Sequence, residues 1–352
     1  MRKSIEGWAR WAAVALAGCA MGACGTESPG SEESGVDPTT STSGTTAPNP
    51  TSGTTAPNPT TDVMMDSGST TTGGSSEEEE TIGPPGIDFG YIPDAPPIDT
   101  TCTKVDFLFV IDNSGSMSTH QANLIANFPN FIDGIQNTLG DVDSYQVGVI
   151  TTDEYNNNIP MCHTLSSLVV QSNGGACGPY AEGNNYMTEA DNLATTFSCA
   201  GNVGTSGSGF ERPMQAMVEA VQKIDGDPGE CNEGFLRDDS LLVIVIITDE
   251  YDGPGDPEGS ASLGDPTSWY DDVVAARADL PDNVVVLSLI NYMGGPCPPT
   301  FGTDDGVNIA MFTQMFTNGF LGGICEANYG PIFSQAIAVI DDACENFMPP
   351  QG

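Results

Sequence analysis

Three seven-residue stretches constrain this chain more than anything else in it: 105–111 (VDFLFVI), 241–247 (LLVIVII) and 284–290 (VVVLSLI) are almost continuously apolar. A strand with one wet face alternates apolar and polar residues, whereas a run without alternation belongs to a strand covered on both sides. Residues 145–151 (YQVGVIT) add a fourth such strand. Between the runs, apolar residues recur every three or four positions, as at Leu124, Phe128, Phe131, Ile132, Ile135 and Leu139. Met214, Met217, Val218 and Val221 repeat the pattern, as do Phe333, Ile337 and Ile340 within 332–344. These are helices with one apolar face. Pro129 is predicted to kink the first of them. Another helix is predicted to start near Thr267, with Asp271 and Asp272 favourable in its first turn. Alternating buried strands and amphipathic helices predict an α/β fold, a doubly wound, mostly parallel central sheet with helices on both faces. The 251 residues from Cys102 onward suffice for one such domain.

The rest of the chain has another character. Residues 2–17 pair a basic start (Arg2, Lys3, Arg10) with a short apolar run, which reads as a signal peptide over 1–18. The run is far short of the ~20 apolar residues that span a bilayer. Residues 16–19 (LAGC) resemble the lipobox of bacterial lipoproteins, which makes Cys19 the expected lipidated residue. Ala20 carries no retention signal of the aspartate type, so the expected location is the outer membrane or cell surface. Residues 19–98 are rich in Ser, Thr, Pro, Gly and Glu and repeat SGTTAPNP at 43–50 and 52–59. Too few apolar groups are present to offset the entropy of ordering, so this segment is expected to be a disordered linker.

Charge excludes partners. With 48 Asp plus Glu against 8 Lys plus Arg, the net charge is −40. Nucleic-acid phosphates and anionic membrane surfaces both call for Lys and Arg, so contact with a membrane is expected through the lipid alone. Self-repulsion predicts a monomeric head. Two histidines, His120 and His163, cannot build a multi-histidine metal centre.

In doubly wound sheets, ligands bind where the strands end. The first strand is followed by Asp112-Asn113-Ser114-Gly115-Ser116, and the 241–247 strand by Thr248-Asp249-Glu250. A turn with Gly204, Thr205, Ser206 and Gly207 lies between them in sequence. These residues resemble the von Willebrand factor A-type domain with its metal-ion-dependent adhesion site. Asp112, Ser114 and Ser116 match the family's Asp-x-Ser-x-Ser motif, and Asp249 its second aspartate. Thr205 matches its loop threonine, with Ser206 and Ser208 nearby. The resemblance covers about 102–347, with 153–203 as a long insertion and 291–328 in place of the family's usual last strand. It implies a divalent cation, Mg²⁺ first with Ca²⁺ or Mn²⁺ as alternatives. Ser114 and Ser116 would bind it directly, and the aspartates partly through water. So little direct anionic ligation leaves the ion electrophilic, with a position free for a partner's carboxylate. The partner class is a protein or polysaccharide offering that group.

Enzyme chemistry fits less well. A phosphatase of the haloacid dehalogenase type needs a carboxylate where Ser114 stands, and no Gly-x-Ser-x-Gly elbow occurs in the head. His120 could act as a base for a hydrolase but reads better as a solvated residue at a helix start. The expected function is therefore binding rather than catalysis, with a metal-independent envelope assembly role as the alternative. Acidic stretches at 225–230 and 249–265 read as solvated loops, or as structural Ca²⁺ sites.

Eight head cysteines, Cys102, Cys162, Cys177, Cys199, Cys231, Cys297, Cys325 and Cys344, suggest disulfides in an exported chain. The expected pairs are Cys102 with Cys344, stapling the domain's ends, Cys162 with Cys177, and Cys297 with Cys325.

Overall fold

The first apolar run forms β1 (Lys104–Ile111), followed by α1 (Ser118–Thr138) and β2 (Ser144–Thr151). Two short strands, β3 (Gln171–Ser172) and β4 (Gly175–Ala176), make a separate hairpin, and β5 (Met187–Thr188) precedes α2 (Leu193–Ala200). Then come α3 (Pro213–Val221), β6 (Leu241–Ile247), α4 (Pro266–Ala276) and β7 (Val284–Ile290). The head closes with α5 (Val307–Met315), β8 (Asn318–Gly323) and α6 (Gly330–Glu345). These elements belong to a computed structural model that describes residues 102–138, 142–255, 261–298, 301 and 306–350. The expected signal peptide (1–18), the lipidation residue Cys19, the linker (19–98) and Leu139 lie outside the described residues.

The sheet order is β5-β2-β1-β6-β7-β8, and every pairing is parallel except that of β5 with β2. This is the doubly wound, mostly parallel sheet that the sequence predicts. Strands β6 and β7 are buried at every position, so both faces are covered. Helix α1 packs with α2 and α6, while α3, α4 and α5 pack in a second row. Phe109, Phe128 and Phe197 knit α1 and α2 to the sheet, with the last two rings stacked at 3.4 Å. Helix α1 continues through Pro129.

Register positions the site. Ile111 pairs with Thr151 on one side and Ile247 on the other, so three central strands end at one level. The chain turns from β1 to β2 in one direction and reaches β6 in the other. That divergence is the switch point where a crevice opens above a doubly wound sheet.

Two expectations need correction. Residues 291–328 carry a helix, α5, and a sixth sheet strand, β8, rather than irregular chain alone. Cys162 pairs with Cys231, not Cys177, and Cys177 pairs with Cys199. The hairpin that precedes Cys177 packs on α2, which carries Cys199. Residues 158–168 are instead held to the segment around Cys231, where Asn232 accepts from Leu168 N at 2.9 Å and donates to Ser166 O at 2.9 Å. The pairs Cys102–Cys344 and Cys297–Cys325 are as expected.

Candidate metal centre

Asp112 follows β1 directly, and its backbone NH still bonds Ile247 O at 3.0 Å, so it continues the pairing of β1 with β6. Its carboxylate is fully buried. One oxygen accepts from Ser114 N at 2.7 Å, and the other from the Thr248 hydroxyl at 2.6 Å. Ser114 starts a 3-10 turn, Gly115–Met117, that throws both serine hydroxyls to one side. Ser114 Oγ and Ser116 Oγ are 3.1 Å apart, and Ser116 Oγ donates to Asp249 Oδ1 at 2.9 Å. Segments 133 residues apart in sequence thus meet in one hydrogen bond.

Oxygens of Asp112, Asp249 and Glu250 all lie within 4.8 Å of one another. Burial pushes the Asp112 carboxyl up to about 6, and the neighbouring Asp249 charge adds to the effect against its own hydrogen bonds. His120 Nε2 stands 4.0 Å from Asp249 Oδ2. The five Lys and Arg of the head are Lys104, Arg212, Lys223, Arg237 and Arg277. Lys104 pairs with Asp239, Arg212 with Glu154, Lys223 with Asp238 and Arg237 with Asp106. Arg277 donates to the carbonyls of Arg237 and Ser240. Clustered carboxylates beside two hydroxyls form an all-oxygen donor set of the kind that suits a hard divalent ion.

Thr205 sits on the expected loop. That loop is tied down by its backbone: Gln121 exchanges two hydrogen bonds with Gly204 while donating to Asp112 O at 2.8 Å, and Gly207 N donates to Asn113 O at 2.9 Å. A Cβ on Gly207 would lie 2.4 Å from Asn113 Nδ2, so only glycine allows this approach. Thr205 itself lines a cavity of about 530 Å³ with Ser118, Gln121 and Ser206. The structure therefore joins Asp112, Ser114, Ser116 and Asp249 directly, and places Thr205 on the loop beside them.

Four neighbours of the cluster were not among the expected ligands. Thr248 clamps Asp112, Glu250 joins the acidic cluster, and Asp153 and Glu211 stand close by. His120 is buried rather than solvated, at 7 % exposure. Its Nε2 lies 4.0 Å from Asp249 Oδ2, and its Nδ1 lies 3.3 Å from Tyr329 Oη at the start of α6. Burial holds its imidazole below the ordinary value, while Asp249 pulls the other way.

No family model and no curated protein matches the chain. Among solved structures it is similar to proximal thread matrix protein 1 from the mussel byssus, at 13% identity and TM-score 0.37, covering 68% of this chain and 49% of that one. It is also similar to the pilus adhesin SpaC from Lactobacillus rhamnosus GG in its open conformation, at 15% identity and TM-score 0.35, over 70% of this chain and 30% of that one. A third is the manganese-loaded TRAP protein of Plasmodium vivax, at 12% identity and TM-score 0.30, over 69% and 74% respectively. The chain thus spans about half the length of the first and less than a third of the second. Four disulfides fit an extracellular protein, and no helix among the described residues is long and apolar enough to cross a membrane.

Proposed function

We propose that this protein is an exported, lipid-anchored binding module whose head holds a divalent cation and presents it to a carboxylate of a protein or polysaccharide partner. Asp112, Ser114, Ser116, Thr205 and Asp249 would hold the ion, with Mg²⁺ first and Ca²⁺ or Mn²⁺ as alternatives. One observation carries the reading: the Asp112 and Asp249 carboxylates and two serine hydroxyls gather at the switch point in one chain of contacts. The ion would supply the positive charge, and the partner's carboxylate would complete its shell. A strongly acidic head repels acidic partners everywhere except at the cation, so the partner is expected to carry mixed or basic surroundings.

The test is retention of the full chain on a carboxylated polysaccharide or an acidic-tipped peptide surface. Binding should fall at least tenfold in EDTA and in Ser116→Ala, and recover with Mg²⁺ in the unmodified protein only. Retention that ignores both changes would exclude the metal-dependent mechanism. A second reading, an envelope assembly part without a metal, has one observation in its favour: Ser116 donates to Asp249 and Ser114 N to Asp112, so these groups are satisfied internally. Unchanged partner capture by metal-free protein would support it.

A further inference from the structure

A second set of oxygens lies beyond Asp112, on the β2 side. Glu211 ends the Gly204–Gly207 loop region just before α3 and is only 5 % exposed. Its Oε2 is contacted by the Thr152 hydroxyl, whereas its Oε1 is buried without any hydrogen-bond partner. The charges that act on it, Asp112, Asp153 and Glu250, are all of its own sign. Burial first, then Asp112, pushes its carboxyl up to about 9. Arg212, the adjacent residue, turns away to Glu154 at 3.0 Å.

The surroundings are oxygen-rich and fixed. Asp153 accepts from Asn113 Nδ2 at 2.9 Å and from Ser208 N at 2.6 Å. Asn113 Oδ1 lies 3.4 Å from Thr152 Oγ1, and Arg212 N donates to Thr152 O at 2.8 Å. A cavity of about 580 Å³ opens onto Asn113, Asp153, Ser208 and Arg212. Asp252 shows how this fold treats a buried acid that needs nothing more: it accepts from Met214 N, Ser262 N and Ser262 Oγ. Glu211 lacks such closure.

We propose a second divalent-cation site, in which Glu211, Asp153 and the amide oxygen of Asn113 hold Ca²⁺ beside the cluster of Asp112 and Asp249. Ca²⁺ accepts six to eight oxygens in flexible geometry, mixing carboxylate, amide and water. That suits one unpartnered buried carboxylate oxygen next to hydrogen-bonded neighbours that retain free lone pairs. An ion here also offsets the like charge between Glu211 and Asp112, which a buried site cannot screen with solvent. The inference goes beyond the adhesion reading and uses residues outside it.

Equilibrium dialysis of the full, disulfide-intact chain against ⁴⁵Ca²⁺ tests it, at a salt concentration of about 0.15 M that screens diffuse binding to surface carboxylates. Glu211→Gln should bind one ion fewer than the unmodified protein, and Asp153→Asn should do the same. In EDTA at pH 7, Glu211→Gln should melt close to the unmodified protein, because a carboxyl pushed up to about 9 is already neutral there. Its rise in Tm on adding Ca²⁺ should be smaller. Equal ion counts and equal Tm rises for both variants and the unmodified protein would overturn the proposal. Ser116→Ala separates the two sites. If it loses an ion and Glu211→Gln does not, the second site falls and the first stands. If Glu211→Gln alone loses an ion, the second site stands and the first falls.

Discussion

On the proposed reading, proton and cation would compete for the same oxygens at Asp112. Burial raises its folded-state carboxyl to about 6 from 3.8. A raised acid favours the protonated folded form, so its stabilising contribution is full below about pH 4 and is lost as pH climbs through about 6. Glu211 has the same sign and extends the loss toward about 9. Without divalent ions, the Asp112 part of that loss is on the order of 2–3 kcal/mol. A cation binds the ionised carboxylate, so the stabilisation by Mg²⁺ should grow as pH passes 6. Thermal melts between pH 4 and 8, in EDTA and in Mg²⁺, check this; an EDTA profile that is flat, or an increment that does not depend on pH, contradicts it. The residues readable in advance were those that follow an apolar run, because parallel register ends β1 and β6 level, at Ile111 and Ile247, just before Asp112 and Asp249. Glu211 was not readable. Nothing in Glu211-Arg212-Pro213 marks it as buried, and its burial is decided by a loop folding against the end of β2. His120 was misread for a related reason, since the chain that buries it, around Tyr329 and Phe301, is some 200 residues away.

Elements divide by how their own composition announces them. Strands β1, β6 and β7 are covered on both faces, so apolarity alone reveals them. Strand β8 reads NGFLGG and hides, because close packing demanded glycine: a Cβ on Gly319 would lie 1.9 Å from Thr313 O, and one on Gly322 2.6 Å from Leu289. The insertion at 153–203 is held by polar side chains that no periodicity signals. Asn158 is its hub, donating to Cys162 O and Leu168 O at 2.9 and 2.8 Å and accepting from the NH groups of Ile159, Val170 and Gln171. Removing it strands several buried backbone groups at once. Asn158→Ala should therefore cost on the order of 3 kcal/mol in denaturant unfolding, with the disulfides intact. A cost below about 1 kcal/mol would show that the Cys162–Cys231 bridge and Asn232 hold the segment without it.

At the scale of the whole molecule, charge and topology say one thing. A head with so few cations commits each of them to a neighbour, at Asp239, Glu154, Asp238, Asp106 and the carbonyls near Ser240, with the Arg212–Glu154 pair on the cavity beside Asn113. On the proposed reading, the carboxylates at the strand ends would take an ion from outside. The fold class was legible because burial of a parallel sheet is written in consecutive residues, whereas the outline of the binding face depends on inserted loops whose pairing is decided in space. The most direct measurement is an anomalous difference map from crystals of the protein grown with Mn²⁺. The account predicts a peak at bonding distance from both Ser114 Oγ and Ser116 Oγ, on the side of Asp112 and Asp249. Crystals that contain Mn²⁺ but show no peak beside the two serines would contradict it.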